Sequence, residues 1–221
     1  MPAATTYSSN LEDVRKYLER GFTATDDPNV FEQLPRLTTL AERRCARELK
    51  ILGFIESYSA TMQAGVAIYA KPNRWRATVS MNFGTGASYN TRRPLFTRSY
   101  EYCISYWPNR STQVSSIGDI QFYADSVYTH WLIAGTPDDA YPFEVNIYVQ
   151  PPFLDDANQS NWLTEYGPEL LLYATLLEAT PFLKNDERMP TWQGMYDRAA
   201  QAFTGEDLQR IQDRAAQRGR D

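Results

Sequence analysis

The chain has 221 residues, enough for one generous domain or two small ones with a real hydrophobic core. Its 43% hydrophobic content is ordinary for a globular protein, while 15 Tyr, 10 Phe and 5 Trp favour strands or extensive interfaces. A formal net charge of −5 speaks against a general nucleic-acid binder, and two isolated cysteines argue against both a disulfide framework and a zinc module.

The N-terminal MPAATTYSSN lacks the basic and apolar regions of a secretory signal, and no run approaches the roughly 18 apolar residues of a membrane span. The expectation is a soluble protein of a reducing compartment, in which the Asn-x-Ser sequons at Asn109 and Asn158 carry no message.

A first helix is expected from Ser9, with Glu12 completing a capping box, Leu11, Val14 and Leu18 at helical spacing, and Gly21 as C-terminal cap. A second opens with Asp27 as N-cap and Pro28 at the first helical position. Phe31, Leu34, Leu37, Ala41, Cys45, Leu49 and Leu52 form its apolar stripe. Glu42, Arg43, Arg47 and Lys50 are assigned to the opposite face, solvated or paired with a neighbour.

From Phe54 the period changes to that of strands, with Ile55–Met62, a turn at Gln63-Ala64-Gly65, Val66–Ala70 and Arg74–Val79. Gly84–Ser88 reads as a hairpin tip, since it lacks the Gly-Lys-Ser/Thr ending of a phosphate loop. Arg98–Trp107 reads as a short helix stopped by Pro108. Val127–Ala134 and Tyr141–Gln150 flank the turn Thr136–Ala140, which predicts a hairpin. Phe143, Val145, Ile147 and Val149 should face the core, and Pro151-Pro152 ends the strand.

Helix returns at Pro168 with a segment apolar nearly all round, leading to Pro181. Asn185 or Asp186 then caps a last helix carrying Met189, Trp192, Met195, Tyr196, Ala199 and Phe203. Glu206–Asp221 is polar, with Leu208 and Ile211 its large apolar residues, and reads as a frayed tail or a partner-binding arm. The fold expected is α+β: a helical bundle built from the N- and C-terminal segments with an inserted antiparallel β domain. The boundaries are 1–54 and 161–205 for the bundle, 55–160 for the β domain and 206–221 for the arm.

Candidates for chemistry are few. His130 has no neighbour in sequence to activate it. The pairs Asp138-Asp139 and Asp155-Asp156 offer carboxylates for a metal or for hydrolysis, yet both lie beside prolines in turns, where Asp is favoured for its backbone hydrogen bonds. Trp75, between Arg74 and Arg76, reads as a packed ring with solvated neighbours rather than a base-stacking platform. No catalytic, cofactor-binding or metal residue is assigned, and no cofactor.

Charge is unevenly spread. Lys71–Arg110 carries Lys71, Arg74, Arg76, Arg92, Arg93, Arg98 and Arg110 against Glu101 alone, whereas Ser111–Leu183 has ten acidic residues and no Lys or Arg. Such charges pair either inside one fold or between copies. Arg74, Arg76, Arg92, Arg93, Asp138 and Asp139 are the candidates for a subunit interface.

The run Asn161–Arg188 resembles a signature of tailed-bacteriophage head-to-tail adaptor (connector, neck) proteins: an Asn-Trp pair, a Pro-led Leu/Tyr-rich helix, Glu178-Ala179, Phe182-Leu183 and an acidic-basic turn. Trp192 with Tyr196-Asp197-Arg198-Ala199 continues it. Leu40-Ala41-Glu42-Arg43-Arg44 is similar to an upstream helix of that family, and Tyr123–Ile133 with Thr136–Glu144 to its β segments. The likeness runs in order from Leu34 to Phe203, except over Gly84–Ser116.

The resemblance implies a non-enzymatic virion protein at the head–tail junction, present in the host cytoplasm during assembly. It implies a twelve-fold homo-oligomeric ring beneath the portal protein, a tail nozzle or tail-tube protein on the other side, and double-stranded DNA passing through without sequence-specific binding. Leu208, Ile211, Arg214 and Arg218 are then the candidates for portal contact. The competing readings are a neck protein that contacts the tail alone and a virion-associated hydrolase using Asp138, Asp155 or His130.

Overall fold

A computed structural model describes residues 5–19, 28–84, 92–109, 114, 119–183 and 187–218, with the side chains of 30, 182–183 and 209–218 outside that description. The chain divides into two compact units, 1–54 with 150–221 and 55–149. Each is taken in turn.

The first unit is helical. Helix α1 (Tyr7–Leu18) starts two residues before the expected Ser9. Thr6 is its N-cap and Ser9 supplies the reciprocal hydrogen bond, so the capping box is Thr6/Ser9 and Glu12 stays on the surface, paired with Lys16 at 2.8 Å. Helix α2 (Pro28–Glu48) has Pro28 first, as its fixed φ and missing N–H favour; Gly21 and Asp27 lie outside the described residues. Its stripe buries Leu34, Leu37, Ala41 and Cys45, and Leu49 beyond it is buried too. Burial pushes the Cys45 thiol up to about 12, the behaviour of a core residue.

After the connector 150–161 come α4 (Trp162–Tyr166), α5 (Pro168–Leu183) and α6 (Met189–Arg218). The first of these is a separate helical turn ahead of Pro168, where helix was expected to begin. Helix α5 buries Leu170, Leu171, Ala174, Leu176, Leu177 and Ala179, packs against α1, α2 and α6, and runs on past Pro181 to Leu183. The proposed caps Asn185 and Asp186 lie outside the described residues. Helix α6 does not stop at Gly205: its 30 residues continue to Arg218, a rod of about 45 Å.

The second unit is a curled sheet. Its strands are β1 (Ile55–Thr61), β2 (Ile68–Ala70), β3 (Trp75–Gly84), β4 (Arg92–Thr97), β5 (Phe122–Ala124), β6 (His130–Ala134) and β7 (Pro142–Val149), with helix α3 (Tyr100–Tyr106) between β4 and β5. The order is β1-β7-β3-β4-β5-β6-β2. The two end strands are consecutive in the chain, joined by 62–67, and that joint is pinned by Met62 N–H to Tyr141 O and Ile133 N–H to Ala67 O. Thr85–Ser88, read as a hairpin tip, lies outside the described residues.

Two expectations fail here. The sheet is mixed rather than antiparallel, because β4 pairs with β5 in parallel. Parallel neighbours need a crossover, and α3 within the intervening segment supplies part of one. Nor do β6 and β7 form a hairpin: β7 has β1 and β3 on its edges, while β6 has β5 and β2. The turn chemistry at 135–140 reverses the chain, with Gly135 at φ 89°, but other strands hold both edges.

Alternation in β7 is as read: Phe143, Val145, Ile147 and Val149 are buried and join Met81, Phe83, Leu95, Trp131 and Ile133 inside the curl. Helix α3 falls where expected, capped by Ser99 and ended at Trp107.

Candidate assembly surfaces and the ties that hold them

Glu42 is fully buried, although Arg43 and Arg44 follow it and its face was expected to be solvated or paired with a neighbour. It accepts hydrogen bonds from Leu154 N–H, at 3.2 Å to one carboxylate oxygen, and from the Asn161 side-chain amide at 2.7 Å. The Gln150 amide donates to the Glu42 carbonyl at 3.5 Å. Burial pushes the carboxyl up to about 7, while the Leu154 and Asn161 donors favour its ionised form and Asp155 opposes it.

Asn161 has a second task. Its Oδ1 accepts from Leu163 N–H at 3.0 Å and Thr164 N–H at 3.4 Å, its own N–H donates to Thr164 Oγ1, and its amide also reaches Pro152 O at 2.9 Å. The residue therefore caps α4 and fastens the connector to α2 at once. The signal was present in the sequence: Leu34, Thr38 and Glu42 recur every four residues, and Thr38 is also fully buried.

Arg44 makes a second tie. It contacts Glu48 at 3.1 Å and Glu178 at 3.3 Å, and lies 5.2 Å over the ring of Tyr196, whose hydroxyl donates to Glu48 at 2.7 Å. Trp162 packs edge-on against Phe54 and Phe203, and a Cβ at Gly53 would come within 2.1 Å of its indole. Segments that carried the resemblance thus meet one another: Glu42 with Asn161, Arg44 with Glu178 and Tyr196.

In the sheet unit the charges of opposite sign meet in part within the chain. Lys71, its side chain 2% exposed, pairs with Asp125 and donates to Val127 O at 2.6 Å. Thr78 donates to Asp125 and accepts from the indole N–H groups of Trp131 and Trp75, at 2.8 and 3.2 Å. Lys71 Nζ stands 3.4 Å from the Trp75 ring centroid, so this ring is packed, as read.

Arg92 pairs with Glu144 at 2.9 Å and Arg74 with Glu56 at 3.4 Å. Arg93 is exposed and Arg76 half-buried, and neither makes an ion pair among the described residues. Asp138 accepts from the Tyr141 hydroxyl at 2.6 Å, and burial with that carboxylate pushes the phenol up to about 12. Asp139 accepts from the neighbouring Ala140 N–H, while Asp155 accepts from Ala157 and Asn158 N–H, the turn contacts that favour Asp there. His130 Nδ1 lies 3.0 Å from Thr129 Oγ1. Among the described residues no group of three His, Cys, Asp or Glu could hold a metal.

Past Gly205, Asp207 accepts from Leu52 N–H at 2.6 Å, so the polar C-terminal segment is anchored at its start. Leu208 is 54% exposed one residue later. The side chains of Ile211, Arg214 and Arg218 lie outside the described residues. No helix among them is long and apolar enough to cross a membrane.

A helical unit knotted by buried polar ties, with a curled sheet inserted in its sequence, is an α+β scaffold. The chain matches the family model described as SU10 adaptor protein over residues 5–220, and it belongs to that family. This agrees with the resemblance to phage head-to-tail adaptors, and gives the chain a structural rather than catalytic role in a bacteriophage particle, with portal and tail components as the implied partners. A search of curated proteins finds no match.

Proposed function

We propose that the chain is a head-to-tail adaptor subunit whose copies assemble as a ring, twelve-fold as in its relatives, between the portal protein and a tail nozzle or tail-tube protein. DNA passes through the lumen without sequence-specific binding. The observation that carries this reading is the family match over almost the whole chain, 5–220. Leu208, Ile211, Arg214 and Arg218 on the last turns of α6 are the proposed portal contacts, and the exposure of Leu208 supports the first of them. Arg74, Arg76, Arg92, Arg93, Asp138 and Asp139 are proposed for contacts between copies, where Arg93 has no ion pair of its own among the described residues.

The acidic balance of the chain suits a conduit, since adhesion through phosphate contacts would hold DNA in place. No catalytic step is assigned. The proposed working place is the head–tail junction of the virion, with assembly in the host cytoplasm. Electron microscopy of the purified protein with and without portal tests the reading. Rings seated on the portal are expected; binding to the tail tube alone would overturn it. A monomer in free solution fits an adaptor that oligomerises on its template.

A further inference from the structure

A groove of about 450 Å³ opens in the helical unit between α1, α2 and the connector. Tyr7, Arg36, Leu40, Arg43, Leu154 and Asp155 line it. Tyr7 and Leu154 are 3% exposed each and give it an apolar floor. Arg36 and Arg43 are seven residues apart on one face of α2, a separation of about 10 Å along the axis. Both are exposed, and neither makes an ion pair among the described residues. The guanidinium of Arg43 is held 5.2 Å over the Phe153 ring. The one acid on the rim, Asp155, accepts hydrogen bonds from its own turn. An apolar floor beneath two guanidinium groups that make no ion pair among the described residues suits an acidic segment that also carries an apolar or aromatic side chain.

The chain presents such a segment elsewhere on the same unit. Glu165 and Glu169, at the junction of α4 and α5, are exposed and make no ion pair among the described residues. Tyr166 between them is 63% exposed. We propose that the groove receives the Glu165–Glu169 corner of a neighbouring copy, with Arg36 and Arg43 on its carboxylates and Tyr166 against the apolar floor. The proposal rests on the ring reading above and supplies one of its contacts. Two different patches of one subunit meet head to tail, the kind of contact that closes into a ring. Charge across it sets partner choice and register, and weakens with salt.

The test uses the full chain assembled on its portal, with copies per portal counted by native mass spectrometry. Arg36→Glu with Arg43→Glu should break the ring, as should Glu165→Arg with Glu169→Arg, each weakening association by about tenfold or more. The chain carrying all four reversals should regain it. A second readout is a chain with Arg43→Cys and Glu169→Cys treated with a short bis-maleimide, which should give a ladder of covalent oligomers, since Cys45 and Cys103 are buried.

Full rings from either reversed pair, no recovery in the fourfold variant, or no ladder overturn the groove contact and leave the ring reading standing. Loss of portal binding with adaptor–adaptor association intact gives the groove to the portal and overturns it as well. So does loss of short-duplex DNA binding with ring counts unchanged. A wild-type chain that forms no ring on the portal overturns both readings.

Discussion

Asn161 is the residue whose chemistry is most constrained, because it must accept at Oδ1 to cap α4 and donate at Nδ2 to Glu42. Asn161→Asp keeps the cap but sets a second carboxylate against Glu42. The expected loss at neutral pH is roughly 3 kcal/mol, read by urea denaturation. In a Glu42→Gln background the glutamine amide can donate to the new carboxylate, so the part of that loss due to Glu42 should disappear and the part due to the Pro152 carbonyl should remain; equal losses in the two backgrounds would refute the pairing. Glu42 also makes stability depend on pH. Its folded carboxyl titrates at about 7 against an ordinary 4.5, so between those values the folded state keeps a proton that the unfolded state releases. Stability contributed by this group is therefore full below about 4.5 and falls as pH rises through 7. Across that window Glu42→Gln should gain on the wild type by on the order of 3 kcal/mol; a flat difference would show that the carboxyl is not raised. The burial of Glu42 was half legible: its spacing from Leu34 and Thr38 placed it at the edge of the stripe, but its sign suggested water. Only the docked connector supplies the donors that make burial tolerable.

At the scale of elements, the longer helices followed from periodicity, while the capping box of α1, the short α4 and the strand partners did not. Alternation identified the buried face of β7, yet the turn at 135–140 suggested the wrong neighbour, because a turn fixes chain reversal and not which edges pair. The strands are instead held by contacts distant in sequence, and Lys71 with Asp125 is the most buried ion pair among the described residues. Lys71→Met should leave the Asp125 carboxylate without its cation and cost roughly 3–5 kcal/mol of sheet stability. A loss under 1 kcal/mol in equilibrium denaturation would mean that this pair is incidental. In the helical unit Gly53→Ala places a methyl where the Trp162 indole lies, within 2.1 Å. Displacing that ring should lower the melting temperature by several degrees, on the order of 1–3 kcal/mol. An unchanged melt would show that the ring moves aside freely.

For the whole molecule, the two units provide separate reporters: Asn161→Asp acts in the helical unit and Lys71→Met in the sheet. The C-terminal helix belongs to this scale too, because its register is set by Asp207 on Leu52 before its polar turns begin. Ending the chain after Leu208 keeps that anchor, so it should leave the fold intact while weakening portal binding at least tenfold; unchanged binding would remove the helix end from the portal contact. The sequence by itself determined the fold class, the place of the longer helices, the buried face of β7 and the family. These are written in local periods and short motifs, which need no knowledge of distant partners. The mixed order of the sheet, the donors that let Glu42 be buried, the anchoring of α6 and the groove over Tyr7 and Leu154 were decided by the tertiary structure alone. Each depends on which remote segment covers which, and a buried carboxylate or a strand edge takes its meaning from that neighbour.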